Sequence, residues 1–179
     1  MTHITLAVTG SISAYKAADI TSQLTKLGFE VKVLMTPSAR KFITPLTLQV
    51  LSKNQVGLDV MMEDDPQRIE HIDIGKETDL FLVAPASANT IAKLAMGLAD
   101  NMVTSTALAL PQRTKKLLAP AMNTKMLDHP ATQRNLKLLQ DYGYQIIQPR
   151  EATLACGDQG SGALATVDTI IQAVKENCL

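Results

Sequence analysis

Short runs of apolar residues alternate along the chain with longer segments in which apolar side chains recur every three or four positions. Five apolar runs predict strands buried on both faces, at residues 4–8, 31–35, 80–84, 117–119 and 144–147. Helical periodicity predicts helices at residues 14–27, 46–52, 88–94, 100–110, 133–142 and 167–177, and a short helix ending at Phe42. Gly28 and Gly143 stand where a helix ends in a left-handed cap.

This alternation of buried strands and helices predicts an α/β fold with three layers. A single doubly wound parallel sheet of the flavodoxin-like or Rossmann-like type accounts for it, with helices on both faces. The chain has 179 residues, enough for one domain with a sizeable core, and its connections are short. We therefore expect a single domain over residues 1–179. Residues 150–165 form one long glycine-rich loop, which in a compact domain is usually functional or disordered.

Composition excludes several classes of protein. Hydrophobic residues make up 46% of the chain and charged residues 19%, as in globular proteins. Seventeen basic residues balance seventeen acidic ones, so there is no electrostatic footprint for nucleic acid. No apolar run is long enough to span a membrane, and the first residues lack the pattern of a signal peptide. We expect a cytoplasmic protein that binds neither nucleic acid nor membranes.

The two cysteines, Cys156 and Cys178, have no partners at metal-ligand spacing, so no metal site is expected. A disulfide between them is not expected in a cytosolic protein.

Polar residues follow the predicted strands, at the edge where open α/β sheets bind ligands. After the first strand, the turn at Gly10 and Ser11 allows close approach of a ligand, and the helix that follows attracts an anion. Such a turn is typical of a site for a mononucleotide or a flavin phosphate. It is equally typical of a tight connection that binds nothing. The GxGxxG pattern of dinucleotide sites is missing. Ser38, after the second strand, is either a helix N-cap or a ligand contact.

Ser87, Asn89 and Thr90 follow the third strand and open a helix. Helix capping accounts for one of these three side chains, and the others favour a ligand. Asn123, which follows the fourth strand, is either a turn residue or an amide donor to a carboxylate.

Two residues are candidates for proton transfer. His71 precedes the strand that leads to Ser87, and an imidazole titrates near neutral pH, as a proton acceptor must. Cys156 lies in a segment with three glycines in six residues, a plausible lid whose thiol can act as nucleophile or acid. No histidine lies near it in sequence, so a cysteine hydrolase has no local support. Cys178, near the end of the chain, is more simply explained as incidental.

Together these segments resemble the flavin-containing cysteine decarboxylases. Residues 85–90 match the PASANT segment of that family letter for letter, and residues 120–126 match its PxMNxxM pattern. Leu127 stands where some members carry an aromatic residue, and Ala163 where many bifunctional members carry arginine. The resemblance runs through nearly the whole chain and does not include a ligase domain, which implies a monofunctional enzyme.

The resemblance implies that the chain binds FMN. The implied FMN contacts are Gly10, Ser11, Ile12, Ser38, Ser87, Ala88, Asn89, Thr90 and Ala121. It also implies that Asn123 holds the carboxylate of the substrate, beside Leu154 and Ala155. In the same comparison His71 is the base and Cys156 the acid.

The activity that the resemblance implies is the FMN-dependent decarboxylation of phosphopantothenoylcysteine to phosphopantetheine in coenzyme A biosynthesis. The substrate passes through a thioaldehyde and an ene-thiolate. A related class stops at the ene-thiol and lacks the cysteine, so Cys156 favours the full cycle. The alternatives are a peptidyl-cysteine decarboxylase, a flavin prenyltransferase and a non-catalytic flavoprotein regulatory subunit. Relatives form homotrimers or dodecamers built of trimers, so we expect a trimer-based homo-oligomer.

Overall fold

The fold is built on a parallel sheet of five strands. In this computed structural model, which describes residues 2–62, 66–153, 157 and 159–178, the strands lie in the order β2-β1-β3-β4-β5. Their bounds are β1 (His3–Val8), β2 (Glu30–Met35), β3 (Leu80–Ala86), β4 (Lys115–Pro120) and β5 (Tyr144–Ile146). All neighbouring pairs are parallel, and the order reverses between β1 and β3. The predicted doubly wound sheet is confirmed, with the strand order of flavodoxin-like folds.

Helices cover both faces of the sheet. They are α1 (Ala17–Lys26), α2 (Pro45–Ser52), α3 (Glu70–Glu77), α4 (Ala88–Met96), α5 (Met102–Leu108), α6 (Thr124–Asp128), α7 (Pro130–Asp141) and α8 (Val167–Cys178), with 3₁₀ turns at Ile12–Lys16 and Ala39–Lys41. Both predicted caps have positive φ, +88° at Gly28 and +87° at Gly143. Among the residues that the structure describes, every helix is too short or too polar to span a bilayer.

Alternate residues of the strands form two cores, one on each face of the sheet. On β3, Leu80 and Leu82 pack into the cluster that includes α1 and α8, whereas Phe81 and Val83 pack into the cluster that includes α4, α5 and α7. All four side chains are fully buried. Burial on both faces is the reason that these strands are continuous apolar runs in the sequence.

Three parts of the fold differ from the sequence predictions. The residues around His71 form the helix α3, and the residues after Asn123 form the short helix α6, and the sequence pattern predicts no helix at either place. The stretch predicted as a long loop contains two antiparallel strands, β6 (Arg150–Thr153) and β7 (Gln159–Ala163). Neither strand shows apolar alternation, because the hairpin is held by backbone contacts and not by a buried face of its own.

Candidate functional site

The carboxyl ends of β1 and β3 are joined by one buried side chain. The Thr9 hydroxyl donates to the carbonyl oxygen of Pro85 at 2.6 Å and accepts from the backbone N–H of Ser87 at 2.8 Å. Thr9 is fully buried. This bond pair lies where the strand order reverses, the place at which open α/β sheets hold their ligands. It therefore fixes the Gly10 turn relative to the first turn of α4.

A cavity of about 300 Å³ opens beside these two strand ends. That volume is at the lower end of the range of ligand pockets, roughly 300–1,000 Å³. Its lining residues are Gly10, Thr36, Pro37, Ser38, Ser87, Ala88, Asn89, Thr90, Lys93, Asp100, Asn101 and Met126. Six of the predicted cofactor contacts are thus brought together from three separate loops.

Gly10 and Ser38 are packed so closely that the first of them has to be glycine. A Cβ atom at position 10 would lie 2.5 Å from the Cβ of Ser38, well inside van der Waals contact. Ser38 stands at the N-cap position of the 3₁₀ turn, as one of its two interpretations predicts, but its side chain does not cap the turn. The hydroxyl of Thr36 accepts from the N–H of Ala39 at 3.2 Å, and Ser38 makes no capping bond. The exposed Ser38 side chain lines the cavity instead.

The first turn of α4 faces the same cavity with unused backbone donors. The Ser87 side chain accepts from the N–H of Thr90 at 3.3 Å, so it is the one capping residue that the sequence predicted. The amides of Ala88 and Asn89 lie too early in the helix to find a carbonyl four residues back. Such free donors and the positive end of the helix dipole suit an anionic group.

Three other predicted contacts lie next to this cavity but outside its lining. Ser11 accepts from the N–H of Ser13 at 3.3 Å and caps the 3₁₀ turn, and Ile12 is 57% exposed on that turn. Ala121 is buried, and its N–H donates to the carbonyl oxygen of Ala86 at 3.0 Å. The contacts of Ser11, Ile12 and Ala121 with a cofactor stay predictions.

Asn123 caps α6 next to the cavity. Its side-chain oxygen accepts from the N–H of Lys125 at 2.8 Å, so the turn role exists alongside any ligand role. Met126 lies three residues further along and lines the cavity. Positions three apart lie on the same face of a helix, so the Asn123 end of α6 adjoins the site.

His71 lies in the first turn of α3 and does not line the cavity. The last turns of α3 and α5 meet, since a Cβ at Gly75 would lie 3.2 Å from the carbonyl oxygen of Ala109. Both helices return towards the start of the next parallel strand, so their first turns lie at the carboxyl edge of the sheet. The buried His71 Nδ1 has no hydrogen-bond partner among the described residues.

Leu154, Ala155 and Cys156 lie outside the described residues. The strand that follows them, β7, is fastened to the Asn123 segment by two bonds. The N–H of Met122 donates to the carbonyl oxygen of Gly162 at 2.9 Å, and the Thr124 hydroxyl donates to that of Ser161 at 2.6 Å.

Several residues of the cavity were missed by sequence reasoning. Thr36 lies two residues before the predicted contact Ser38, and Lys93, Asp100 and Asn101 are not predicted as ligand contacts. The last three lie at the end of α4 and the start of α5, where no strand precedes them. The rule that ligands lie after strands could not find them, and nothing in their spacing marks a ligand site.

Comparison with known proteins gives the family. The sequence matches the family described as Flavoprotein over residues 1–179. It is 65% identical to a probable phosphopantothenoylcysteine decarboxylase of Streptococcus mutans, over 97% of each chain. It is 45% identical to the coenzyme A biosynthesis bifunctional protein CoaBC of Bacillus subtilis, covering 98% of this chain but 43% of that protein.

Solved structures match the fold over nearly its full length. A cysteine-to-serine variant of a PPC decarboxylase, in complex with pantothenoylaminoethenethiol, superposes with a TM-score of 0.90 at 32% identity, covering 98% of this chain and 97% of that one. The FMN binding protein AtHal3 superposes with a TM-score of 0.86 at 32% identity, covering 98% and 95%.

Proposed function

This chain belongs to the Flavoprotein family, and from that premise we propose how it acts. It is a phosphopantothenoylcysteine decarboxylase, a carboxy-lyase of coenzyme A biosynthesis that forms phosphopantetheine. The observation that carries this function is the likeness to the Streptococcus mutans protein along the whole of both chains.

FMN is the cofactor we propose for the cavity. Gly10 leaves open the space that a Cβ would fill against Ser38, and Ser87 and Thr90 offer hydroxyl groups. The amides of Ala88 and Asn89 suit the phosphate. Ser11, Ile12 and Ala121 adjoin this cavity and complete the proposed set. When bound, FMN supplies the redox chemistry, taking up two electrons from the substrate and returning them before the product leaves.

The substrate carboxylate is attached to the carbon next to the one that bears the thiol, and neither carbon offers an electron sink. Oxidation of the thiol-bearing carbon to a thioaldehyde provides one, because the carboxylate is then β to a C=S bond. Carbon dioxide leaves with the bonding pair directed into sulfur, which gives the ene-thiolate. Asn123 holds the carboxylate before it leaves, as a neutral donor that does not repel it. We place Leu154 and Ala155 beside the substrate in this step.

Proton transfer is assigned to two residues. His71 takes the proton of the substrate thiol. A buried imidazole nitrogen without a partner among the described residues fits a catalytic role better than a structural one. Cys156 delivers a proton to carbon as the ene-thiol is reduced, and this yields the saturated thiol. We also propose a trimer-based homo-oligomer, a trimer or a dodecamer, working in the cytoplasm.

The test is a visible spectrum of the purified protein, followed by mass analysis of phosphopantothenoylcysteine incubated with it. We expect a yellow protein and a product that has lost the mass of one carbon dioxide. A cysteine-containing peptide serves as the control substrate and should be unchanged. A colourless protein that takes up no FMN would overturn the proposal.

A further inference from the structure

Two charged side chains lie in the wall of the cavity, and the proposed mechanism uses neither. Lys93 and Asp100 are the charged residues among the described residues that line it. They form an ion pair in which the ammonium of Lys93 lies 2.5 Å from Oδ2 of Asp100. The Lys93 side chain is 22% exposed. Its partner Asp100 is 57% exposed, so the pair lies at the rim of the cavity, with the ammonium on the more buried side.

The helix directs Lys93 towards the proposed phosphate contacts. Lys93 follows Asn89 by four residues and Thr90 by three, so all three lie on one face of α4, and all three line the cavity. Side chains in a helix lean towards its N-terminus. Lys93 lies in the last turn of α4, and this lean carries its stem back along the helix towards the cavity that it lines. The ammonium has three donors, and Asp100 accepts one of them.

Asp100 is itself held in place by the start of α5. Its Oδ1 accepts from the side-chain amide of Asn101 at 2.9 Å, and its backbone N–H donates to the Thr104 hydroxyl at 3.2 Å. Asn101 and Thr104 form a reciprocal capping box that begins the helix. The hydrogen bond from Lys93 lowers the pKa of the Asp100 carboxyl, which favours the carboxylate form that accepts this bond.

We propose that Lys93 binds the phosphate of FMN and that Asp100 is the positioning residue that holds its ammonium at the cavity. The proposal rests on the proposed cofactor. A phosphate monoester carries nearly two negative charges at neutral pH. Among the described residues that line the cavity, Lys93 is the cation that can balance them. A lysine ammonium is a common phosphate ligand.

The carboxylate explains how the Lys93 ammonium is kept at the cavity before the cofactor binds. Asp100 keeps the lysine from turning out to solvent. When phosphate arrives, the ammonium keeps its bond to Asp100 and donates its remaining hydrogens to the phosphate oxygens.

The test is a fluorescence titration of the apoprotein with FMN and with riboflavin, which lacks the phosphate. Lys93→Met should weaken FMN binding about 10- to 100-fold, as expected for the loss of a hydrogen bond to a charged group. Riboflavin binding should change less than about twofold because the lost contact is to phosphate. Lys93→Arg keeps the charge and should retain the preference for FMN. Lys26→Met removes a charge from the exposed end of α1, outside the cavity lining, and is the matched control.

A second pair of variants tests Asp100. In Lys93→Met the carboxylate is left facing the phosphate, so adding Asp100→Asn should recover about threefold or more of the lost FMN affinity. Equal FMN affinity of Lys93→Met and the wild type would overturn the proposal. Equal weakening of FMN and riboflavin would overturn it too, because the lysine would then not contact the phosphate. A wild-type protein that binds no FMN would instead refute the proposed cofactor.

Discussion

At the scale of single residues, the site depends on side chains whose structural and chemical roles coincide. Thr9 bonds two loops that arrive from different strands, and Asn123 caps a helix while its amide is proposed to hold the substrate. Each of these residues looks ordinary in the sequence, since threonine is common in strands and asparagine in turns. Substitutions that separate the two roles of one side chain are therefore the most informative ones.

Thr9→Val should weaken FMN binding as well as the fold. Valine fills the same space but leaves the Pro85 carbonyl and the Ser87 N–H without partners, which costs about 1–3 kcal/mol. The two loops then lose their fixed spacing. Urea unfolding and FMN titration measure the two effects. Thr5→Val is the matched control: Thr5 is buried on β1, the strand that leads to Thr9, and shares a 2.7 Å hydroxyl bond with Thr78, so it should lower stability alone.

Thr9→Ser keeps the hydroxyl group and should bind FMN with about the affinity of the wild type. If Thr9→Val bound FMN as tightly as Thr5→Val, the bond pair would have no part in shaping the cavity.

Asn123→Asp should abolish most turnover while FMN stays bound. An aspartate caps a helix as well as asparagine does, so the bond to the Lys125 N–H is retained and the fold is undisturbed. The change replaces the amide donor by a second acceptor that repels the substrate carboxylate. We expect turnover to fall at least about 100-fold, as when a positioning group is lost. Unchanged steady-state kinetics would remove Asn123 from the substrate site.

Cys156→Ser should divide the reaction into two halves. A serine hydroxyl is a much weaker acid than a thiol, so oxidation and loss of carbon dioxide should proceed and reduction should stall. We expect the ene-thiol to accumulate, detected by mass two hydrogens below the saturated product. A normal yield of phosphopantetheine would exclude Cys156 as the acid.

At the scale of elements, the hairpin of β6 and β7 joins the segments that we propose for catalysis. Its second strand is packed against the loop after β4 through two glycines. A Cβ at Gly160 would lie 2.5 Å from the Thr124 hydroxyl oxygen, and one at Gly162 would collide with the Met122 carbonyl oxygen. The glycines of this stretch thus allow close contact between two backbones, in addition to any mobility they give the loop.

Gly160→Ala should lower turnover without affecting the cofactor. The added methyl group pushes β7 away from Thr124, whereas none of these residues lines the FMN cavity. A shift of this size in a positioning element costs about 10- to 100-fold in rate. Turnover and FMN affinity should be measured side by side. Ser161→Ala is the control, because the Thr124 bond uses the backbone carbonyl of Ser161. Equal turnover of Gly160→Ala and Ser161→Ala would show that the contact between β7 and Thr124 does not position the site.

Some helices and strands could be predicted from the sequence and others could not. Strands β1 to β4 were predicted to within three residues at each end, because burial on both faces makes them continuous apolar runs. The helix α3 was missed because five of its eight residues are charged or histidine and its apolar face is narrow. The hairpin was missed because its contacts are made by backbone atoms. Lys93 and Asp100 meet across two helices, and such a contact has no local pattern.

At the scale of the whole molecule, the strand order decides where the chemistry occurs. The order reverses between β1 and β3, so the helices that follow these strands lie on opposite faces and their first turns leave a crevice. Each face has its own core, and the two cores meet at the sheet. Most titratable groups lie outside these cores. Tyr144 on β5 is an exception, and it links the stability of the whole fold to pH.

Burial raises the pKa of the Tyr144 phenol. The native state therefore keeps this proton to higher pH than the unfolded chain, in which tyrosine ionises near pH 10. Since the native state then binds more protons, the free energy of unfolding should fall as pH rises above about 10, by at most about 1.4 kcal/mol per pH unit for this group. Below that pH its stabilising contribution is fully present.

Tyr144→Phe should remove this part of the alkaline loss, measured by urea unfolding at several pH values between about 9 and 11. Burial, followed by the charge of Asp79, also raises the pKa of the Cys178 thiol, but that contribution is common to both proteins and cancels in their difference. Tyr142→Phe, at a half-exposed ring, should leave the slope as in the wild type. If the Tyr144→Phe protein lost stability as steeply as the wild type, the phenol would ionise without opening the core. The edge of the sheet at β5 would then be more accessible to water than its burial indicates.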